Sequence, residues 1–267
     1  MKSPGVKNQN TYIRYIKTSI IVVFSPLFTM CQQNIDSELT KAFMAYHHKD
    51  FDSALSIYES YSEHLDAFQM QLVSRMYHDG SQTIPKNYLK ALEWIEKSAM
   101  KGDVFSMTQT GILYFSGSRN PLVLENFEKS YNWFLKASEK GNEMAIYYLG
   151  LHHQWGRFIE KNTEKAKENY YLVIKGKDNK AKNQAMFRLS QIFRLEGDEE
   201  KAKYWLVTAA ESGNGRSFEQ LATSEGISPE ERINLLKRAC EIDNDPITCA
   251  TYMIAKEDYE TKMKKDK

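Results

Sequence analysis

The side chains best suited to chemistry are three cysteines, Cys31, Cys240 and Cys249, and two histidine pairs, His47-His48 and His152-His153. Thiolates and imidazoles ligate zinc, but two ligands on one helix need i, i+4 spacing. Adjacent helical residues point about 100° apart, so neither histidine pair reads as a metal site. No histidine lies near Cys240 and Cys249 in sequence. The residues therefore predict no metal and no cofactor. There is no Gly-rich phosphate loop, no G-x-S-x-G and no H-E-x-x-H. A search for an S-x-x-K serine site decides nothing, because chance spacings swamp it. The acidic run Glu196-Gly197-Asp198-Glu199-Glu200 reads as a solvated turn and helix start. No catalytic residue is selected, and the reading is a protein that is not an enzyme.

Composition narrows the class. The chain has 267 residues, 42% hydrophobic and 27% charged, which is ample for a sizeable core. With 16 Tyr and 13 Phe it is not a disordered chain. Only 13 Gly and 6 Pro exclude collagen-like and low-complexity classes. The 36 bases nearly balance the 35 acids, which gives no support to nucleic-acid binding.

The cysteines divide between two settings. Residues 1–17 carry Lys2, Lys7, Arg14 and Lys17 and no acid, and SIIVVFSPLFTM follows from Ser19 to Met30. A basic stretch before about 7–15 apolar residues is the layout of a secretory signal. It is short for a membrane span, which takes about 20 residues. A buried first helix is the alternative. Cys31 ends the run in LFTMCQQN, similar to the junction where bacterial lipoproteins are cut before a lipidated cysteine, although Met30 stands where a small residue is expected. Lipidation, soluble export and an incidental cysteine all remain open. Without residues 1–30, 32 bases face 35 acids, so the remainder is slightly acidic.

The remainder repeats. Lys90-Ala91, Lys129-Ser130, Lys165-Ala166 and Lys201-Ala202 recur at steps of 39, 36 and 36 residues. Trp94, Trp133 and Trp205 follow three of these pairs; in the third, Asn169 stands there beside Tyr170. Each of KSAMKG (Lys97 to Gly102), KASEKG (Lys136 to Gly141) and TAAESG (Thr208 to Gly213) ends in a glycine suited to a helix C-terminus. A second helical pattern precedes each motif: FQMQLVSRMYHDG from Phe68, FSMTQTGILYFSG from Phe105, MAIYYLGLHHQWG from Met144 and AMFRLSQIFRLEG from Ala185. His153 occupies the slot of Tyr77 and Tyr114 and reads as a packing residue. A helix pair cannot bury its apolar face alone, so neighbours must stack, and the tryptophans read as wedges between helices.

The unit resembles the Sel-1-like repeat, a relative of the tetratricopeptide repeat. Ala145, Leu149, Gly150 and Gly156 match its first half, and Lys90, Ala91, Trp94, Lys97, Ala99 and Gly102 its second. The resemblance implies an all-α, right-handed α-solenoid of stacked helix–loop–helix repeats over residues 37–257, with degenerate copies at Ser37 to Asp66 and Gly215 to Asp245. Residues 1–30 then form a signal segment, 31–36 a linker and 258–267 a charged tail. Cys240 ends one helix and Cys249 begins the next, across the turn signal Asp243-Asn244-Asp245-Pro246. Adjacent helix ends can bring two Cα atoms within disulfide reach. Cysteine-rich bacterial relatives carry a disulfide at this junction, with a slightly shorter gap; two buried thiols are the alternative.

The resemblance also places a groove. Copies two to five align on Ser74, Gly111, Gly150 and Ser190. In related helical-repeat families the groove is lined six and three residues before this point and one and four after. That selects Phe68, Gln71, Arg75 and His78; Phe105, Thr108, Ile112 and Phe115; Met144, Tyr147, Leu151 and Gln154; and Gln184, Phe187, Gln191 and Arg194. About half should be exposed. An apolar centre with polar ends suits a protein partner. The implied function is a non-enzymatic interaction scaffold of the bacterial envelope, periplasmic and anchored to a membrane through Cys31. It includes the possibility of an immunity protein that neutralises a secreted toxin. The rival is a cysteine-rich relative of β-lactamase type. For the anchor, Cys31→Ala is expected to move the protein from the membrane fraction to the soluble fraction; an unchanged distribution on fractionation rejects lipidation.

Overall fold

The protein is described by a computed structural model over residues 29–117 and 125–265, with side chains through residue 263. The basic stretch and most of the apolar run, residues 118–124 and the final Asp266 and Lys267 lie outside the described residues. Among the described residues every regular element is helical: α1 (29–47), α2 (Phe51–Ser60), α3 (Ala67–Asp79), α4 (Tyr88–Met100), α5 (Val104–Ser116), α6 (Phe127–Glu139), α7 (Glu143–Trp155), α8 (Thr163–Ile174), α9 (Asn179–Leu195), α10 (Glu199–Glu211), α11 (Gly215–Ala222), α12 (Pro229–Asp243) and α13 (Pro246–Lys265). The fold is an all-α helical repeat solenoid.

One turn chemistry is repeated at the middle of each unit. Asn87, Asn126, Asn162 and Asp198 sit just before α4, α6, α8 and α10. Their side-chain oxygens accept from the backbone N–H of Lys90, Lys129, Lys165 and Lys201 at 3.0, 2.9, 2.9 and 3.1 Å. This satisfies donors that a helix start leaves open. The backbone N–H of the same four residues donates back to the carbonyls of Tyr77, Tyr114, His153 and Phe193 at 2.7, 2.8, 2.8 and 2.9 Å. One residue thus starts the second helix and ties it to the first. His153 shares the register of Tyr77 and Tyr114, as the sequence pattern indicates.

The motif residues pack as a seam. An added Cβ on Gly111 would lie 2.6 Å from the Phe134 ring, and one on Gly150 would lie 2.5 Å from the Tyr170 ring. Only hydrogen at these positions admits the neighbouring aromatic. Phe134 and Tyr170 are fully buried, each contributing roughly 1.5–3 kcal/mol of apolar burial. Where copy two has Ser74, its hydroxyl donates to the Ala91 carbonyl across the same helix pair at 2.7 Å. Trp94 and Trp133 are buried, and the motif lysines Lys97 and Lys136 lie over their rings at 4.4 and 4.5 Å. Trp205 is half-buried.

The chain divides into two compact units, 1–106 and 107–267. In the first, α1 to α4 share a core that includes Ile35, Leu39, Tyr58, Leu65, Val73, Ile84 and Trp94. Tyr77 donates to the Glu59 carboxylate and receives a bond from Lys90 at 2.9 Å. Ser98, fully buried, bonds the Ala67 carbonyl and the Ser106 hydroxyl, each at 2.7 Å. Residues 31–36, expected as a linker, continue α1, because Ile35 and Leu39 fall one helical turn apart and both bury.

In the second unit, successive helices from α6 to α13 pack on one another, and α7 also meets α9. Glu143 closes one junction by accepting from the backbone N–H groups of Lys177 and Asp178. Cys240 and Cys249 are joined as a disulfide with Cα atoms 4.7 Å apart. Closing so short a loop stabilises by about 2–3 kcal/mol in the chain-entropy account. Residues 258–265, expected as a tail, extend α13, and Tyr259 there donates to Glu230 on α12 at 2.5 Å.

His152 is fully buried in this unit. Its Nδ1 donates to the Arg157 carbonyl at 2.8 Å, and its Nε2 faces the Ser130 hydroxyl at 3.2 Å. Burial holds the imidazole below its ordinary value of 6.5, with the charges of Arg157 and His153 acting the same way and the Arg157 carbonyl opposing. Below pH 6.5 the unfolded chain binds a proton that folded His152 refuses, so stability falls as pH drops through that window. The loss of Tm between pH 7.5 and 5.5 is expected to be smaller for His152→Gln than for the parent chain; equal losses contradict the assignment. For the seam, Gly150→Ala is expected to cost about 1–3 kcal/mol in denaturant unfolding, because Tyr170 must shift. An unchanged midpoint rejects the close packing.

Candidate functional site: a groove along the first helices

In the second unit the first helices of successive repeats line an open groove of about 1060 Å³. Its walls come from Phe115 on α5, Tyr147, Tyr148, Leu151 and Trp155 on α7, and Asn179 to Arg188 on α9. Arg216 and Glu219 on α11 and Asp243, Asp245, Ile247 and Thr248 at the α12–α13 turn complete it. The groove follows from repeat geometry. Each first helix turns one stripe toward its partner and the next repeat, and the stripe beside it stays open.

One wall is aromatic and rigidly built. Phe115 and Trp155 stack at 5.9 Å between centroids, and Phe134 and Tyr148 stack at 4.6 Å. The Arg157 guanidinium lies 4.5 Å from Phe127, 4.9 Å from Trp155 and 5.1 Å from Phe115. Burial pushes the Tyr148 phenol up to about 12, so it keeps its proton across the physiological range. Trp155 is 40% exposed, which makes it the large aromatic most open to a ligand in this wall.

The lining carries Lys180 and Arg188 on α9, and three carboxylates with Arg216 at the far end. Arg188 is half-buried beside the aromatic wall, with Nε on the Tyr147 hydroxyl at 3.3 Å and Nη1 on Gln191 Oε1 at 2.9 Å. Its guanidinium lies 5.1 Å from the Trp155 ring. At the α11–α13 end stand Glu219, Asp243 and Asp245. The Asp243 carboxyl packs against Gly215, and burial raises its pKa, with Glu219 and Asp245 adding to the effect and Arg216 opposing it. Thr248 donates to Glu219 and to Asp245.

Of the residues selected from sequence, Phe115, Tyr147, Leu151, Gln184 and Phe187 line the groove. Gln154 accepts from Tyr170 at 2.7 Å, and Gln191 steadies Arg188. Thr108 is buried, Ile112 and Met144 are half-buried, and Arg194 is exposed away from the groove lining. In the first unit Phe68, Arg75, His78 and Phe105 are exposed, and Gln71 donates to Asp103 at 2.8 Å. The lining instead includes Tyr148 and Arg188, both two residues before the aligned small residue, and Trp155, five after it. The open stripe is therefore turned by about one residue from the expected positions. Size in this register gives no signal, because Leu72, two before Ser74, is buried in the core.

The nucleophile and metal candidates take structural places. Ser98 and Lys101 have S-x-x-K spacing, but the Ser98 hydroxyl is fully buried in the bonds described above. His47 and His48 are exposed on the first unit. Among the described residues no three His, Cys, Asp or Glu side chains converge to hold a metal ion. Among the described residues no helix is long and apolar enough to cross a membrane. Cys31 is an exposed free thiol near the start of α1.

Comparison with known proteins places the chain. A Sel1 repeat protein from Oxalobacter formigenes superposes with a TM-score of 0.63 at 22% identity, covering 78% of this chain and 62% of that one. The protein c5321, a protective antigen present in uropathogenic Escherichia coli strains and displaying an SLR fold, gives a TM-score of 0.58 at 22% identity, covering 82% and 48%. The chitin synthase regulator SKT5 of Saccharomyces cerevisiae is 24% identical over 117 residues, 44% of this chain and 17% of that protein. The chain thus spans less than two thirds of the length of each. Residues 70–103, 104–142, 143–172 and 183–214 match the Sel1 repeat. These four blocks take in half of the sequence and follow the helix pairs described above, so the chain belongs to the Sel1 repeat family.

Proposed function

We propose that this protein is a non-enzymatic scaffold that binds a protein partner in the groove of residues 107–265. Sel1 repeat proteins are generally interaction scaffolds. The observation that carries the reading is the groove itself, with an ordered aromatic wall, a half-buried arginine and an acidic end. Rigid aromatic and arginine side chains in a concave surface are the usual centres of protein binding energy. We place the protein in the bacterial envelope, held to the membrane through Cys31. The basic stretch before the apolar run supports export, and the exposed Cys31 thiol is free for acylation. In the narrower form of this reading the partner is a secreted toxin and the protein confers immunity by covering the toxin's active site.

Gln184 lines the groove half-buried, so Gln184→Trp projects a bulky ring into the space without cutting the seam. Affinity capture from envelope extracts, read by mass spectrometry, is expected to return one protein with the parent chain. The Gln184→Trp variant should lose at least about tenfold of that recovery at unchanged Tm. Full recovery with the ring in place rejects the groove as the binding surface. A captured partner that does not arrest growth when produced alone rejects the immunity form and leaves the scaffold in place.

A further inference from the structure

We infer that the groove takes an extended peptide segment whose carboxylate side chain docks on Arg188, with an apolar side chain beside it on Trp155. This deepens the scaffold reading and rests on it. The observation is an arginine without a countercharge. Among the described residues no carboxylate forms an ion pair with Arg188, although it is half-buried and lines the groove. Its other polar contacts are neutral: the Tyr147 hydroxyl on Nε and the Gln191 amide oxygen on Nη1. Nε and Nη1 each carry one of these bonds, and Nη2, which neighbours both, has no protein acceptor among the described residues. A half-buried guanidinium with a free Nη2 still has donors to offer, and a carboxylate is the acceptor that bonds them most strongly.

The surroundings choose the occupant. The Trp155 and Phe187 rings lie 5.1 and 5.9 Å from the guanidinium carbon, so an apolar side chain beside the pair has aromatic surface to pack on. Tyr147 and Gln191 fix the plane of the fork, so the entropy of ordering it is already lost before binding. Farther along the same groove Glu219, Asp243 and Asp245 outnumber Arg216, so the net charge there disfavours a second acid. The complement is a segment with one acidic residue next to a large apolar residue and a neutral or basic continuation toward α11 and α13. A groove running across α7, α9 and α11 suits an extended backbone more than a compact small molecule.

The test uses the full chain, nitrogen-15 labelled, with two synthetic probes, acetyl-Ala-Phe-Asp-Leu-Lys-amide and its Asn counterpart. Binding is read from the Trp155 indole N–H, assigned by its loss in Trp155→Phe. The Asp peptide is expected to shift this signal and to bind about tenfold more tightly than the Asn peptide, the difference expected for one charge-assisted pair. In Arg188→Gln the two peptides should bind alike. Should that variant fail to fold, the Asp-to-Asn comparison on the parent chain decides alone. Equal affinities on the parent chain overturn the carboxylate anchor, and so does a response of Trp155 to neither peptide. Sodium acetate that shifts Trp155 with the same affinity shows a bare anion site and overturns the peptide assignment. None of these results touches the scaffold reading, which fails separately if Gln184→Trp leaves partner capture intact.

Discussion

Everything here depends on the close approach of two helices at a residue too small to keep them apart. Gly111 receives the Phe134 ring and Gly150 receives the Tyr170 ring, at distances where a methyl group would collide. A pair of helices of 12 or 13 residues has one apolar face and cannot bury it alone. Driving a ring into the partner helix buries part of that face within the pair and leaves the rest for the next repeat. The asparagine or aspartate between the helices then fixes their start and their spacing with one side chain and one backbone N–H.

The groove is a consequence of that seam. Once the small residue and its turn-mates face the partner helix, the side chains two residues earlier are carried to the open edge. In α7 and α9 these are Tyr148 and Arg188. The wall is ordered from behind by Phe134, His152 and Arg157, which touch its rings but do not line the groove. Stability and recognition therefore share residues. Tyr148 stacks on Phe134 in the core and also lines the groove, and Tyr147 is buried yet holds Arg188.

Much of the fold was legible because the seam has a strict period. The Lys-Ala and Lys-Ser pairs, the following tryptophans and the closing glycines mark the helices at steps of 36 to 39 residues. The register of His153 was legible, and its carbonyl takes the turn bond that Tyr77 and Tyr114 take. The helical state of 31–36 was hidden, because two apolar residues, Ile35 and Leu39, are too few to show a period. Of the helices that line the groove, α5, α7 and α9 were legible, while α11, the α12–α13 turn and the exact stripe were not. Tyr147 and Phe187 were selected; Trp155 and Arg188 were not, because a stripe carried from other repeat families differs here by about one residue. The contrast between a paired and an unpaired arginine is invisible in sequence, since it depends on which carboxylates fold close by.

The central claim is that the partner sits in the groove of the second unit and not on the helices behind it. Site-specific photo-crosslinking in cells measures this directly. A benzophenone amino acid at Asn179, which lines the groove, should form a discrete crosslink to one partner. The same group at Leu172, exposed on α8 and outside the groove lining, should form none. Crosslinks from Leu172 with none from Asn179 would contradict the account.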